Sequence, residues 1–299
     1  MLYACISNTK KYRMKNYCLR LIFITSVLFG CKKDDAVTPN SFASGVYVNV
    51  DNNLLQLNES TGSIANTIEI NGFPSGEKHS GMTFDNVNNV FYLIRNTTTD
   101  PTLIKITGSA NYEVVGQIKL NGAQVDIGEA LAFDSDNEKL YVSASLNGGV
   151  SDGDFWSESI LTLDVKTAEA TLITTIITSN INQSESDTDD MHILDGVLYL
   201  TDSAPPGANF TKVYTVNWAN LVTGGNTSPT EIYAGTHVVG ARITVNNDDL
   251  FVSSERSLSS IDLNSPSSLN LIGATHTESE FKGKTIVGIT YVKSSQTNL

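Results

Sequence analysis

Ala130-Leu-Ala-Phe-Asp134, followed after a polar turn by Leu140-Tyr-Val-Ser143, is one copy of a unit that recurs along the chain. Gly81-Met-Thr-Phe-Asp85 with Val90-Phe-Tyr-Leu-Ile94 is another, as are Met191-His-Ile-Leu-Asp195 with Val197-Leu-Tyr-Leu200 and Arg242-Ile-Thr-Val-Asn246 with Leu250-Phe-Val-Ser253. A last first-strand motif, Gly288-Ile-Thr-Tyr291, has no second strand after it. Each unit joins two runs of β-branched and aromatic residues through Asp, Asn or Gly, the composition of a hairpin. The motifs start at 81, 130, 191, 242 and 288, spacings of 49, 61, 51 and 46 residues. A period of that size with several short strands per unit, and almost no 3.6-residue periodicity, predicts an all-β chain folded as a β-propeller.

Third strands are expected at 103–106, 160–164, 213–216 and 258–263, and fourth strands at 113–120, 171–177, 231–234 and 270–274. The N-terminal runs Val46–Val50, Leu54–Leu57 and Asn66–Ile70 supply strands two to four of a unit that lacks its first, whereas Ile286–Val292 is a first strand without followers. Pairing the two ends would complete one blade and leave the ring without an open edge. The expectation is five blades of about four strands, or six if the long interval from 130 to 191 merges two.

The phrases Gly-Met-Thr-Phe-Asp, Ala-Leu-Ala-Phe-Asp and Ile-Leu-Thr-Leu-Asp (160–164) resemble the repeats of NHL and YVTN-type propellers and of the gluconolactonase-like family. That resemblance implies the fold; its motifs are structural and imply no activity by themselves.

Ahead of the repeats, Lys10, Lys11, Arg13, Lys15 and Arg20 precede an apolar segment from about Leu21 to Gly30, the order of a signal peptide. About ten apolar residues are too few for a membrane span, which needs about twenty. Met14-Lys15-Asn16 would begin a leader of ordinary length. Leu28-Phe29-Gly30-Cys31 resembles a bacterial lipobox, and Lys32-Lys33-Asp34-Asp35 behind it is similar to the tether of surface-exported lipoproteins of the Bacteroidota. The resemblance implies cleavage before Cys31 and acylation of that residue, with the protein held to the cell envelope, the outer membrane above all, by lipid. The expected division is a leader over 1–30, a flexible tether over 31–44 and a propeller over 45–299.

The leader carries five basic and no acidic residues, so its removal takes the formal charge from −13 to about −18, with 14 Lys plus Arg against 32 Asp plus Glu. Such a surface repels phosphate backbones and argues against nucleic acid as a partner. The three cysteines are Cys5, Cys18 and Cys31, so past the cut no disulfide, cysteine metal cluster or thiol nucleophile is available to the folded part.

Residues just before or within the starts of the first strands should gather at one mouth of a propeller. These are Glu77 and His79, Asp126 and Glu129, Asp187, Asp189, Asp190 and His192, then His237 and Arg242. Carboxylates from two blades, chiefly Glu129 and Asp190 with Asp126 and Asp189, could hold Ca²⁺ through oxygen ligands. His79 or His192 could then assist proton transfer in a Ca²⁺-dependent hydrolase of the lactonase or phosphoesterase kind. The competing expectation is a binding or scaffolding module for a protein or carbohydrate. Arg242 at the mouth, with Phe155, Trp156 and Phe210 on two long loops, would make its contacts.

Asp134-Ser-Asp-Asn-Glu138 suggests a calcium loop but lacks its glycine and distal Glu, so a tight turn is expected there. Gly283-Lys284-Thr285 ends like a phosphate loop without its first glycine or a following helix. His-Glu-x-x-His does not occur.

Overall fold

Alternation of side chains, with both faces apolar, gives strands that must be covered on two sides. The computed structural model describes residues 41–74, 76–95, 100–124, 127–145, 157–177, 188–203, 210–221, 223–236, 241–277, 280–281 and 283–293. Of 127–129, 145, 157–158, 177, 202–203, 210 and 236 it describes only the backbone. The first strands are β1 (Gly45–Val50), β2 (Asn53–Leu57) and β3 (Ile64–Glu69), then β4 (His79–Asp85), β5 (Val90–Arg95), β6 (Thr102–Ile106) and β7 (Tyr112–Gln117). Two short strands, β8 (Lys119–Leu120) and β9 (Ala123–Gln124), lead to β10 (Ile127–Asp134), β11 (Lys139–Ser145), β12 (Ser157–Leu163) and β13 (Glu169–Ile177). Next come β14 (Thr188–Leu194), β15 (Val197–Ser203), β16 (Phe210–Asn217), β17 (Asn226–Thr227) and β18 (Thr230–Thr236). The last are β19 (Arg242–Asn246), β20 (Asp249–Ser254), β21 (Ser257–Asp262), β22 (Asn270–Ile272) and β23 (Gly288–Val292).

Among the described residues these strands form five sheets, in the orders β23-β1-β2-β3, β4-β5-β6-β7, β10-β11-β12-β13-β8-β9 with β17 also on β13, β14-β15-β16-β18 and β19-β20-β21-β22. The innermost strands pack against one another in the cycle β4, β10, β14, β19, β23 and back to β4. The apolar clusters close the same circle. Tyr47 and Leu54 meet Met82 and Phe91; Ile94 and Leu103 meet Leu131 and Val142; Ala132 and Tyr141 meet Met191 and Leu200. Val213 and Tyr233 then meet Ile243 and Val252, and Phe251 and Leu258 meet Val46 and Val48. One core therefore lies between each neighbouring pair of sheets, fed by alternate residues of the same strand, as Val46, Tyr47 and Val48 show. This is a β-propeller.

The ends pair as expected: β23 runs antiparallel to β1, with Tyr47 opposite Thr290 and Val48 opposite Ile289. The described strands of the 130 to 191 interval belong to one sheet. Phe42, expected in the tether, is instead buried, its ring 4.6 Å from that of Phe91 and 5.9 Å from that of Phe84. An aromatic ring that finds an apolar slot between two sheets is drawn in by the area it removes from water. Residues 1–40, with Cys31 and the leader, lie outside the described residues.

Asp134 closes the β10–β11 turn as an Asx turn: its Oδ1 accepts the Asp136 and Asn137 N–H groups at 3.0 and 3.2 Å, and its Oδ2 accepts Asn137 Nδ2 at 2.7 Å. Asp85 does the same with Val87 and Asn88. The calcium-loop look of 134–138 is thus turn chemistry, its acceptor atoms spent on the chain's own N–H groups.

The hairpin β8–β9 and the strand β17 were not foreseen. β8 and β17 both pair in parallel with β13, whose nine residues would otherwise leave a long outer edge free.

Candidate functional site

Three of the five innermost strands are irregular near their starts. The register shifts between Ser80 and Met82 against β5, between Gly128 and Leu131 against β11, and between Thr188 and Asp190 against β15. Gly81 takes the positive φ of 59° that the first bulge needs. A bulge adds one residue to one strand and turns the neighbouring side chains away from strict alternation, so these ends present groups that a flat strand would hide.

Asp190 is fully buried on β14. Its Oδ1 accepts the Met191 N–H at 3.0 Å and its Oδ2 the Ile243 N–H of the next sheet, also at 3.0 Å. Burial pushes its carboxyl up to about 8, against the Arg242 charge and the two N–H donors, which favour the ionised form. Arg242, the first residue of β19, has its Nη1 buried with no hydrogen-bond partner among the described residues. His192, two residues along β14 on the same face as Asp190, places Nδ1 3.3 Å from Thr244 Oγ1, and desolvation lowers its pKa to about 4. Asp190, His192 and Arg242 therefore share the seam between β14 and β19, and Asp189 beside Asp190 adds a like charge that pushes the Asp190 carboxyl further up.

His79 lies elsewhere, on β4, with β10 between it and β14 in the ring. Its ring is buried, 4.5 Å from that of Phe73 and 6.0 Å from that of Tyr112, and its Nε2 has no partner among the described residues. Burial lowers its pKa to about 4, with Glu77 pulling the other way. Glu77 itself accepts Arg95 Nη1 at 3.2 Å and Tyr112 Oη at 2.9 Å, and Arg95 Nη2 reaches Thr102 Oγ1 at 3.3 Å. Burial and the Glu77 carboxylate together raise the Tyr112 pKa. Arg95, Tyr112 and Phe73 are the partners that sequence inspection passed over. The register gives Arg95 away in retrospect, since it pairs directly with His79.

The described residues include the side chains of only Asp189 and Asp190 from the metal set expected at the mouth. They contain no group of three His, Cys, Asp or Glu side chains placed to hold an ion. Asp190 is inside the protein with each carboxylate oxygen engaged by an N–H, which is a structural use of the group. Asp126, Asp187 and His237 fall outside the described residues, and of Glu129 only the backbone is described. Phe155 and Trp156 also fall outside them, and of Phe210 only the backbone, at the start of β16, is described. The two histidines are not brought together, and neither touches a described carboxylate through a hydrogen bond.

No protein-family model matches the chain, and no curated protein does. Among solved structures the fold is similar to a chain of a nidogen/laminin complex, with a TM-score of 0.51 and 12% identity, covering 85% of this chain and 100% of that one. It is also similar to TolB from Acinetobacter baumannii, with a TM-score of 0.49 and 13% identity, over 79% of this chain and 54% of that one. Identities this low speak for the fold alone.

Proposed function

We propose that this chain is a lipid-anchored, extracytoplasmic β-propeller, its five sheets being five blades, that serves as a binding module and takes its ligand at the mouth where the innermost strands begin. The Arg242 guanidinium supports this reading most directly. Its Nη1 is buried and unpartnered among the described residues, while the neighbouring Asp190 carboxyl is already satisfied by two N–H groups. A buried donor left unmatched costs about 1–3 kcal/mol, more when it is charged, and a ligand oxygen would relieve that cost. The apolar leader ending just before Cys31 supports anchoring by lipid, in the cell envelope and outside the cytoplasm. The hydrolase alternative, with Glu129 and Asp190 holding Ca²⁺, has the weaker support, because Asp190 is closed off from solvent.

Two measurements test the proposal. Mass spectrometry of the protein extracted from native envelopes should find residue 31 at the N-terminus carrying acyl chains; an unmodified cysteine ends the anchoring part. Melting the purified protein with millimolar acetate or inorganic phosphate, as probes for the ligand's acceptor group, should raise the midpoint in the parent and not in Arg242→Gln. Equal responses in the two proteins end the Arg242 part. A rise with Ca²⁺ that chelator reverses, lost in Glu129→Ala, would favour the hydrolase instead.

A further inference from the structure

A concavity of about 370 Å³ lies at the other end of the fourth sheet, where β14 turns into β15 and where β16 ends. Val197 and Val216 contribute apolar surface to it, and Asn220, Asn226, Ser228 and Thr230 surround them with carboxamides and hydroxyls. Among the described residues no Asp, Glu, Lys or Arg lines it, although the chain carries 32 acidic and 19 basic residues. The four polar side chains make no hydrogen bond to the protein among the described residues, so their donors and acceptors are free for a guest.

The walls are held from behind. Asn217 caps the short 3-10 turn Trp218–Asn220, its Oδ1 accepting the Ala219 N–H at 2.9 Å, and Trp218 packs edge-on against Tyr141 at 4.7 Å. On the opposite side β17 pairs with β13, Thr174 Oγ1 donates to the Gly225 carbonyl at 3.0 Å, and the Thr174 and Thr227 hydroxyls meet at 2.8 Å. Asn226 is therefore carried on a strand tied to the third sheet, with Ser228 just after it, whereas Asn220 is carried by the turn that follows β16 of the fourth.

We infer that this concavity is a binding site for a neutral polyhydroxylated ligand, a mono- or disaccharide. A carboxamide offers both a donor and an acceptor, which matches a pair of adjacent sugar hydroxyls, and a hydroxyl can serve as either. The aliphatic surface of Val197 and Val216 suits the C–H face of a pyranose ring. With no charged group among its described lining residues, the site has little to compensate a phosphate or carboxylate, and the acidic surface disfavours both. The volume falls within the range of small-molecule sites. The site stands apart from the mouth at the strand starts, so it does not depend on Arg242.

Saturation-transfer NMR on the full chain decides the matter, with methyl α-D-mannopyranoside, methyl β-D-galactopyranoside, N-acetyl-D-glucosamine and cellobiose as probes. We expect transfer to at least one of them, and an affinity about tenfold lower or worse in Asn220→Leu/Asn226→Leu, equivalent to losing one or two hydrogen bonds. Both residues are exposed, so the double variant should melt with the parent. No transfer to any probe overturns the inference. So does transfer that survives the double variant unchanged; if such transfer is lost in Arg242→Gln, the sugar belongs to the mouth.

Discussion

Replacing Thr83 by Val tests whether the propeller's seams are laced by side chains as well as filled by apolar contacts. Thr83 sits on β4, 3% exposed, and its Oγ1 accepts the N–H of Phe133, on β10 of the next sheet, at 3.0 Å. That N–H belongs to an innermost strand, which has no neighbour on its channel side to complete its backbone hydrogen bonds. Valine keeps the shape and the β-branching but removes the acceptor, leaving a buried N–H unsatisfied at a cost of about 1–3 kcal/mol. In a chain of this size about 2 kcal/mol lowers the melting midpoint by about 4–8 °C. Thr83→Ser keeps the oxygen and loses one methyl group, about 1 kcal/mol, so it should be the milder change. Thermal and urea unfolding of the three proteins would measure this, with an unchanged urea slope showing that only stability has moved. A Val variant that melts with the parent, or above the Ser variant, would refute the lacing argument.

The pH dependence follows from opposed groups. Asp190, up at about 8 in the fold, lends stability that is complete below its ordinary value near 3.8 and is lost as pH rises toward 8; His79 and His192, down at about 4, lend stability present above 6.5 and lost as pH falls toward 4. Urea midpoints should therefore peak near pH 6.5, and Asp190→Asn should flatten the fall between 6.5 and 8, which amounts to at most about 1.4 kcal/mol per pH unit for one proton; an equal slope in both proteins would show that Asp190 does not titrate there. Gly273→Ala should melt well below the parent, because φ is +69° and a Cβ would come within 1.8 Å of the Thr61 carbonyl oxygen; a melt within a degree of the parent would mean that this loop can move aside. Phe42→Ala should cost about 3–5 kcal/mol by chemical denaturation if its ring belongs to the core, and nothing measurable if it belongs to a tether. Ile289→Ala, at the strand that closes the ring, should cost about 2–5 kcal/mol and expose the N-terminal strands to protease first; cleavage beginning elsewhere would show that closure is not the weak point.

The polar positions divide by what they answer to. Asp85 and Asp134 could be assigned to turns from sequence, since an Asx turn needs only residues two and three places on. Asp190 looks equally acidic in sequence and was expected to face an ion. Its role depends on Ile243, 53 residues away, whose N–H it accepts. Likewise Glu77 takes its meaning from Arg95 and Tyr112, which share no local pattern with it.

What the sequence by itself determined was the order and partnership of the strands: a period-2 apolar pattern, Asp- and Gly-closed turns and a repeat near 50 residues are all local, and they lead to a propeller closed by its own ends. What only the tertiary structure decided was which polar groups meet across the seams, which bulges turn them, and that β8 and β17 shield β13 while Phe42 fills a slot between two sheets. The physical reason is range. Strand and turn formation are settled by residues a few positions apart, whereas the burial that sets a carboxyl's charge, or frees the carboxamides of Asn220 and Asn226 for a guest, comes from neighbours the chain delivers only after the ring has closed.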